Sequence, residues 1–362
     1  MIKVLRSSIT VVSILMLFAF SCKTKNEKIV YENGKEVKSI SLIKFDSPSS
    51  GKKYTVGENV NLLIKLRDEK VVPDSIILFV NYQKIGKMNG LSYNLNTSGL
   101  KLGSLNIRAT GWKDSLCQSV SISINLKSNV APKNFSYKVI KTYNHDPEAY
   151  TQGLFYKDGF LYEGTGRNGY SSIRKVELET GKILQSVNLD DKHFGEGITL
   201  FNNKIYQLTW TSGVGFEYDF NTFKQLRTFS FTTQGWGLTT NGKDLIMSDG
   251  SNVIHYMEPD NFGELRRIEV CDDKGPVDQL NELEYINGEI YANVYQTDKV
   301  VIIDPETGMV KANIDFKGLL KDTDRTNEVD VLNGIAWDEV SKRLFVTGKL
   351  WPKLYQVELL GK

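Results

Sequence analysis

Five similar segments recur along the second half of this chain, and they restrict its fold more than any other feature. Each reads as an apolar strand, a tight turn and a second apolar strand. They start at residues 152, 196, 236, 281 and 333, in steps of 44, 40, 45 and 52 residues. A period of about 40 to 50 residues with about four short strands per unit is typical of β-propeller blades. The pattern therefore predicts a five-bladed β-propeller over residues 135–362.

The last repeat ends at the motif LYQVEL, which leaves no room for its outermost strand. We expect residues 135–143, FSYKVIKTY, to supply that strand from the other end of the domain. Such closure removes the unpaired sheet edge between the first and last blades.

Residues 40–127 show a different pattern, in which short apolar runs alternate with turn signals such as SPSSGKK and MNG. About seven short strands in this space predict a small β-sandwich of immunoglobulin type. No Cys-Trp-Cys spacing is present, so only the architecture is predicted, and we expect a spacer or adhesive role. The stretch KSNVAPKN at residues 127–134 is a predicted linker.

The N-terminus has the features of an export signal. A cationic start and a short apolar run predict a signal peptide over residues 1–21. The ending AFSC resembles a bacterial lipoprotein box, which implies lipidation at Cys22; an uncleaved anchor or plain secretion stays open. Residues 22–39 are polar and predict a tether. We therefore expect an exported lipoprotein, anchored at the bacterial cell envelope.

Composition and motifs exclude several classes of function. Lys and Arg number 45 against 43 Asp and Glu, so no excess of basic charge indicates a nucleic-acid partner. Three Cys and three His are too few for a disulfide scaffold or a His-rich metal site. Zinc-protease, serine-hydrolase and phosphate-loop motifs are absent from the sequence. We expect no cofactor and no catalytic metal, while a structural calcium held by loop oxygens stays open.

The residues at the aligned starts of the repeats are the first candidates for a site, because the first strand of each propeller blade lines the central channel. They are Gln152, Glu196, Trp236, Asn281 and Asn333. Amides, one carboxylate and an aromatic ring that converge at the channel mouth predict a pocket for a small polar ligand. The alternative is that these amides satisfy backbone groups of turns.

Several motifs resemble the plant-type glutamine cyclotransferases, a family of five-bladed propellers with bacterial members. The motifs are HDPEAYTQGL, FGEGIT, QGWGL, LNELEYINGEIYAN, DVLNGIAWD and FVTGKLWPKL, which occur in that order between residues 145 and 354. The resemblance covers roughly residues 135–362 and does not extend to the first domain. It implies conversion of the N-terminal glutamine of peptides or proteins to pyroglutamate, with release of ammonia and without zinc.

The resemblance also implies roles for individual residues. The acid/base glutamate corresponds to Glu196, and we expect Lys349 to assist it. The substrate pocket corresponds to Gln152, Phe194, Trp210, Trp236 and Asn281, and the ring position adds Asn333. Tyr150 stands where the plant pattern has Phe, and Tyr295 stands where it has Trp. We expect these two differences to affect the range of substrates more than the activity.

Two other functions stay open at this stage. The first is a non-catalytic propeller that binds a peptide or a sugar at its channel mouth, and the second is a scaffold displayed by the lipid anchor. An enzyme is favoured over both alternatives, because we expect a carboxylate that can exchange protons to lie beside a lysine and aromatic walls.

Overall fold

The structure is a computed structural model that describes residues 29–32, 35–38, 41–114, 116–325 and 328–361. The predicted signal peptide, Cys22 and the first residues of the predicted tether lie outside these ranges. The described residues form thirty β-strands and one 3₁₀ helix, Asp322–Asp324. None of the described residues belongs to a helix that is long and apolar enough to span a membrane.

The first ten strands precede the propeller. They are β1 (Ile29–Glu32), β2 (Lys35–Lys38), β3 (Ile43–Ser47), β4 (Lys53–Thr55), β5 (Asn59–Leu66), β6 (Ser75–Val80), β7 (Gln83–Lys87), β8 (Ser92–Asn96), β9 (Gly103–Lys113) and β10 (Leu116–Lys127). Strands β1 and β2 pair as an antiparallel hairpin inside the segment predicted to be a tether. An Asn-Gly dipeptide separates them in the sequence, and this dipeptide favours two-residue hairpin turns.

Strands β3 to β10 form two sheets, with the orders β3-β5-β8 and β4-β10-β9-β6-β7. Alternate residues of the strands are buried, as shown by Val60, Leu62 and Ile64 of β5. These side chains and those of the facing sheet, such as Ile76 and Leu78, belong to one apolar core. The two sheets therefore form a β-sandwich, and the narrower immunoglobulin assignment stays a prediction.

The remaining twenty strands build the propeller. They are β11 (Lys133–Asn144), β12 (Thr151–Lys157), β13 (Phe160–Thr165), β14 (Ser172–Glu177), β15 (Ile183–Asn188), β16 (Gly195–Phe201), β17 (Lys204–Thr209), β18 (Val214–Asp219), β19 (Gln225–Ser230), β20 (Leu238–Thr240), β21 (Leu245–Ser248), β22 (Val253–Met257), β23 (Glu264–Glu269), β24 (Leu280–Ile286), β25 (Glu289–Val294), β26 (Lys299–Ile303), β27 (Val310–Asp315), β28 (Leu332–Asp338), β29 (Arg343–Gly348) and β30 (Lys353–Gly361).

Four blades consist of consecutive strands: β12 to β15, β16 to β19, β20 to β23, and β24 to β27. The fifth blade combines β28, β29 and β30 with β11, which pairs antiparallel with β30 from Phe135↔Gly361 to Asn144↔Lys353. The predicted closure by the early strand is therefore confirmed. Strand β11 also pairs with β27 over three residues, so the fourth and fifth blades share one sheet of eight strands.

The sandwich contacts the outer edge of the third blade. The backbone N–H of Ser128 donates to the carbonyl of Asp272 at 2.9 Å, and Lys127 Nζ donates to the carbonyl of Asp273 at 2.6 Å. The N–H of Ser104 donates to Glu269 Oε2 at 3.0 Å. These contacts hold the sandwich away from the inner strands of the propeller.

Glycine allows the inner strands to approach each other closely. Gly153, Gly197 and Gly237 follow the first residue of three repeats, and a Cβ at any of them would overlap backbone atoms of the next inner strand. The strands are also hydrogen-bonded there, since the N–H of Gly197 donates to the carbonyl of Trp236 at 2.7 Å. Side chains that precede these glycines are consequently brought together around the axis.

The fourth repeat has Glu282 in place of this glycine, and its carboxylate joins three inner strands. Oε2 accepts from the N–H of Ile335 in β28 at 2.9 Å, and Oε1 accepts from the N–H of Leu154 in β12 at 3.3 Å. Burial raises the pKa of Glu282 well above its ordinary value. Two residues further on, Glu284 accepts from the N–H of Trp337 at 3.0 Å, and burial raises its pKa to about 8.

We expect Glu282→Gln to destabilise the propeller. A glutamine side chain has one acceptor oxygen, so its NH₂ group would face one of the two backbone N–H groups that Glu282 now binds. A buried donor without a partner costs about 1–3 kcal/mol, and the free energy of unfolding in urea should fall by this amount. Glu358→Gln, at an exposed position of β30, is the matched control. Equal stability of Glu282→Gln and the wild type would contradict this role.

Candidate active site

Nine side chains from strands and loops of all five blades line a cavity of about 170 Å³ at the channel mouth. They are Tyr150, Gln152, Phe194, Glu196, Trp210, Trp236, Asn281, Tyr295 and Lys349. All nine are residues that the sequence singles out. Asn333 lies elsewhere: it is fully buried, and its Nδ2 donates to the carbonyl of Thr151 at 3.0 Å, which links β28 to β12.

Glu196 is the carboxyl group of this cavity, and it is 5% exposed. Its Oε1 accepts a hydrogen bond of 3.1 Å from Gln152 Nε2. Burial raises the pKa of Glu196 well above its ordinary value, and the positive charge of Lys349 opposes this shift. A proton on Glu196 is therefore held more tightly than on a solvated glutamate.

Lys349 lies between two tyrosine rings. Its Nζ is 4.9 Å from the ring centre of Tyr150 and 5.1 Å from that of Tyr295, which are cation–π distances. The residue is 3% exposed, and this burial lowers the pKa of Lys349, while Glu196 and Asp330 oppose the shift. The rings stabilise a cation that has lost most of its water.

Asp330 is a residue that the sequence analysis did not identify. Its Oδ2 accepts from the hydroxyl of Tyr150 at 3.0 Å, and its backbone N–H donates to the carbonyl of Lys349 at 3.0 Å. Burial and the charge of Asp330 raise the pKa of the Tyr150 phenol. Asp330 thus holds both Tyr150 and the chain segment of Lys349. Asp330 is the first residue of the motif DVLNGIAWD, and this position is the sequence feature that could have identified it.

Aromatic side chains surround the polar groups, and we name Tyr150, Phe194, Trp210, Trp236 and Tyr295 the aromatic collar. Neighbouring rings meet edge to face: the centroids are 6.2 Å apart for Tyr150 and Phe194, and 5.6 Å for Phe194 and Trp210. The same geometry joins Trp236 and Tyr295 at 5.4 Å. The collar gives the cavity an apolar wall around one carboxyl and one amine.

Two amide oxygens of the cavity have no hydrogen-bond partner among the described residues. They are Oε1 of Gln152 and Oδ1 of Asn281, and both residues are 2% exposed. Because an unpaired buried acceptor costs free energy, these oxygens are suited to receive N–H donors of a ligand.

The chain is similar to several known proteins. The sequence profile of glutamine cyclotransferases matches residues 115–359. The glutaminyl-peptide cyclotransferase of Arabidopsis thaliana is 44% identical over 228 residues, which are 61% of this chain and 71% of that protein. The crystal structure of Myxococcus xanthus glutaminyl cyclase covers 64% of this chain and 99% of its own, with 36% identity and a TM-score of 0.60.

The chain belongs to the glutamine cyclotransferase family. The family resemblance and the all-β propeller predicted from the sequence are confirmed. The match includes β10 and the whole propeller up to residue 359, whereas residues 41–114 of the sandwich lie outside it.

Two of the three histidines of this cyclotransferase pair with carboxyl groups. His145 contacts Glu163 Oε1 at 2.9 Å, and His255 lies between Asp249 and Glu264 at 3.0 and 2.9 Å. Across the described ranges, no group of three or more His, Cys, Asp or Glu side chains is placed to hold a metal ion.

We expect Glu196→Gln to be more stable than the wild type at alkaline pH. Between the ordinary value of 4.5 and the raised pKa of folded Glu196, the folded state holds a proton that the unfolded state has lost. Wild-type stability therefore falls as pH rises through this window, and the glutamine variant, which does not titrate, avoids the fall.

Urea unfolding of both proteins from acidic to alkaline pH provides the measurement. The difference in free energy of unfolding should grow in favour of the variant as the pH rises above 4.5. A difference that does not change with pH would show that Glu196 is not held in a desolvated state.

Proposed function

We propose that the chain is a glutaminyl-peptide cyclotransferase, which converts the N-terminal glutamine of peptides or proteins to pyroglutamate and releases ammonia. The observation that carries this proposal is the buried carboxyl of Glu196, with its raised pKa, in a cavity shared with Lys349. Membership of the glutamine cyclotransferase family supports it.

The reaction is intramolecular, so the enzyme has to select one conformer and move protons. The substrate α-amine has a pKa near 7.7–8.0, and its neutral form attacks the side-chain carbonyl carbon of the same residue. A C–N bond forms and closes a five-membered lactam, and the C–N bond to the side-chain nitrogen breaks. The nitrogen departs as ammonia after it has gained the proton that the amine loses.

Glu196 is the proposed carrier of that proton. The ionised carboxylate takes it from the attacking amine, and the resulting acid delivers it to the leaving nitrogen. Because burial raises its pKa, the Glu196 carboxylate is a stronger base than a solvated glutamate, which lowers the free-energy cost of taking the proton from the amine. The hydrogen bond from Gln152 Nε2 to Oε1 fixes the orientation of the carboxyl group.

The other polar groups bind the substrate in this proposal. The ammonium of Lys349 stabilises the oxyanion that develops on the side-chain carbonyl. Since Nε2 of Gln152 is engaged by Glu196, its free oxygen and that of Asn281 accept from substrate N–H groups. The aromatic collar contacts the substrate methylenes and excludes water from the reacting atoms.

We expect Glu196→Gln to lower kcat by roughly 100-fold or more, because proton transfer by a positioned group contributes a factor of this size. Ammonia release from a Gln-led dipeptide, with mass spectrometry of the product, measures the effect. Glu358→Gln, at an exposed position, should match the wild type. Near-normal turnover by Glu196→Gln would assign the proton transfer to another group.

The same assay separates the enzyme from the binding protein. A wild-type chain that binds the dipeptide in calorimetry but releases no ammonia would be the non-catalytic propeller.

We further propose that the protein is exported and held at a cell envelope by lipid on Cys22. The support is the signal-like pattern of residues 1–21 followed by the AFSC box. Cys22→Ser should move the protein from the membrane fraction to the soluble fraction after cell disruption. An unchanged distribution would indicate an anchor that does not depend on this cysteine.

A further inference from the structure

The aromatic collar is interrupted at two places, and a polar side chain fills each gap. Between Tyr295 and Tyr150 the gap is filled by Lys349, whose Nζ contacts both rings. Between Trp210 and Trp236 it is filled by Gln234, an exposed residue of the loop before β20.

Gln234 binds both indoles through one atom. Its Oε1 accepts from Trp210 Nε1 at 2.7 Å and from Trp236 Nε1 at 2.9 Å. Trp210 follows the second strand of the second blade, and Trp236 precedes the first strand of the third. A single amide oxygen therefore joins collar residues of two blades.

The backbone that follows Gln234 is held by two hydrogen bonds. The N–H of Gly235 donates to the carbonyl of Trp210 at 3.0 Å, and the N–H of Trp236 donates to the carbonyl of Ser248 at 3.1 Å. Because the main chain is held, the Gln234 amide is in a position to fix the two indole planes rather than to follow them.

The two indoles differ in how much other support they have. Trp236 packs on Gly250, where an added Cβ would overlap the indole ring, and it meets Tyr295 edge to face. Trp210 is 41% exposed, and among the collar rings it meets Phe194. Without the bond to Gln234, Trp210 would be free to rotate toward solvent.

We propose that Gln234 is a positioning residue of the cyclotransferase, which closes the aromatic collar by setting the orientation of Trp210 and Trp236. It does not touch the reacting atoms, so it acts on substrate capture through the two rings. This inference rests on the proposed function, since it concerns binding of the glutaminyl residue.

Gln234→Met removes the acceptor at similar length. We expect KM for a Gln-led dipeptide to rise about tenfold, because two hydrogen bonds of ordinary strength are lost, while kcat stays within about threefold. Gln234→Glu keeps an acceptor for both indoles and should restore KM to within about threefold of the wild type. Gln225→Met makes the same change at an exposed position of β19 and should leave KM unchanged.

Tryptophan fluorescence gives a reading that is independent of turnover. Gln234→Met should shift the emission to longer wavelength and increase quenching by acrylamide, whereas Gln234→Glu and Gln225→Met should resemble the wild type in quenching. Gln234→Ala serves the same test if the methionine variant does not fold.

The outcomes separate this proposal from the proposed function. A wild-type protein without turnover would reject the cyclotransferase assignment itself. If the wild type is active, an unchanged KM in Gln234→Met would overturn the positioning role. An equal loss in Gln234→Glu, with a matching fall in melting temperature, would overturn it as well by showing a general structural effect.

Discussion

The close approach of the inner strands is the constraint on which the rest of this structure depends. Gly153, Gly197 and Gly237 remove side chains where strands meet, so the residues before them converge at the channel mouth. The fourth repeat has Glu282 in place of this glycine, and its carboxyl group binds the backbone of two other inner strands. Polar side chains are consequently crowded around the axis, where those of Glu282 and Asn333 bind backbone groups of neighbouring inner strands.

Loss of water explains the electrostatics of the site. Burial raises the pKa of Glu196 and lowers that of Lys349, so both groups are moved away from their charged forms. Their mutual attraction and the two tyrosine rings around the ammonium oppose these shifts. The aromatic collar lines the same cavity and limits the contact of both groups with solvent.

The sequence predicted what depends on local spacing. Blade period and ring closure by residues 135–143 follow from repeats that can be aligned within the chain, and the nine residues of the cavity follow from these repeats together with the family resemblance. The sequence did not predict contacts between residues that are far apart in the chain and are brought together by closure of the propeller ring. Asp330 acts on a tyrosine hydroxyl 180 residues away, and Glu282 on a backbone group 128 residues away. Asn333 shows the opposite case. Its position in the aligned repeats predicted that it lines the cavity, but its side-chain amide binds the backbone of β12.

Strands β16 and β24 carry three carboxyl groups whose pKa is raised by burial, Glu196, Glu282 and Glu284, and their hydrogen bonds distinguish structural from chemical roles. Glu282 and Glu284 each have both oxygens engaged, by backbone N–H groups and by the Thr239 hydroxyl. Glu196 accepts a single bond among the described residues, and that bond comes from a side chain that also lines the cavity. Glu196 also lines the cavity, whereas Glu282 and Glu284 do not. Of the three groups, Glu196 is therefore the one that can change its protonation without breaking a hydrogen bond to the backbone of another strand.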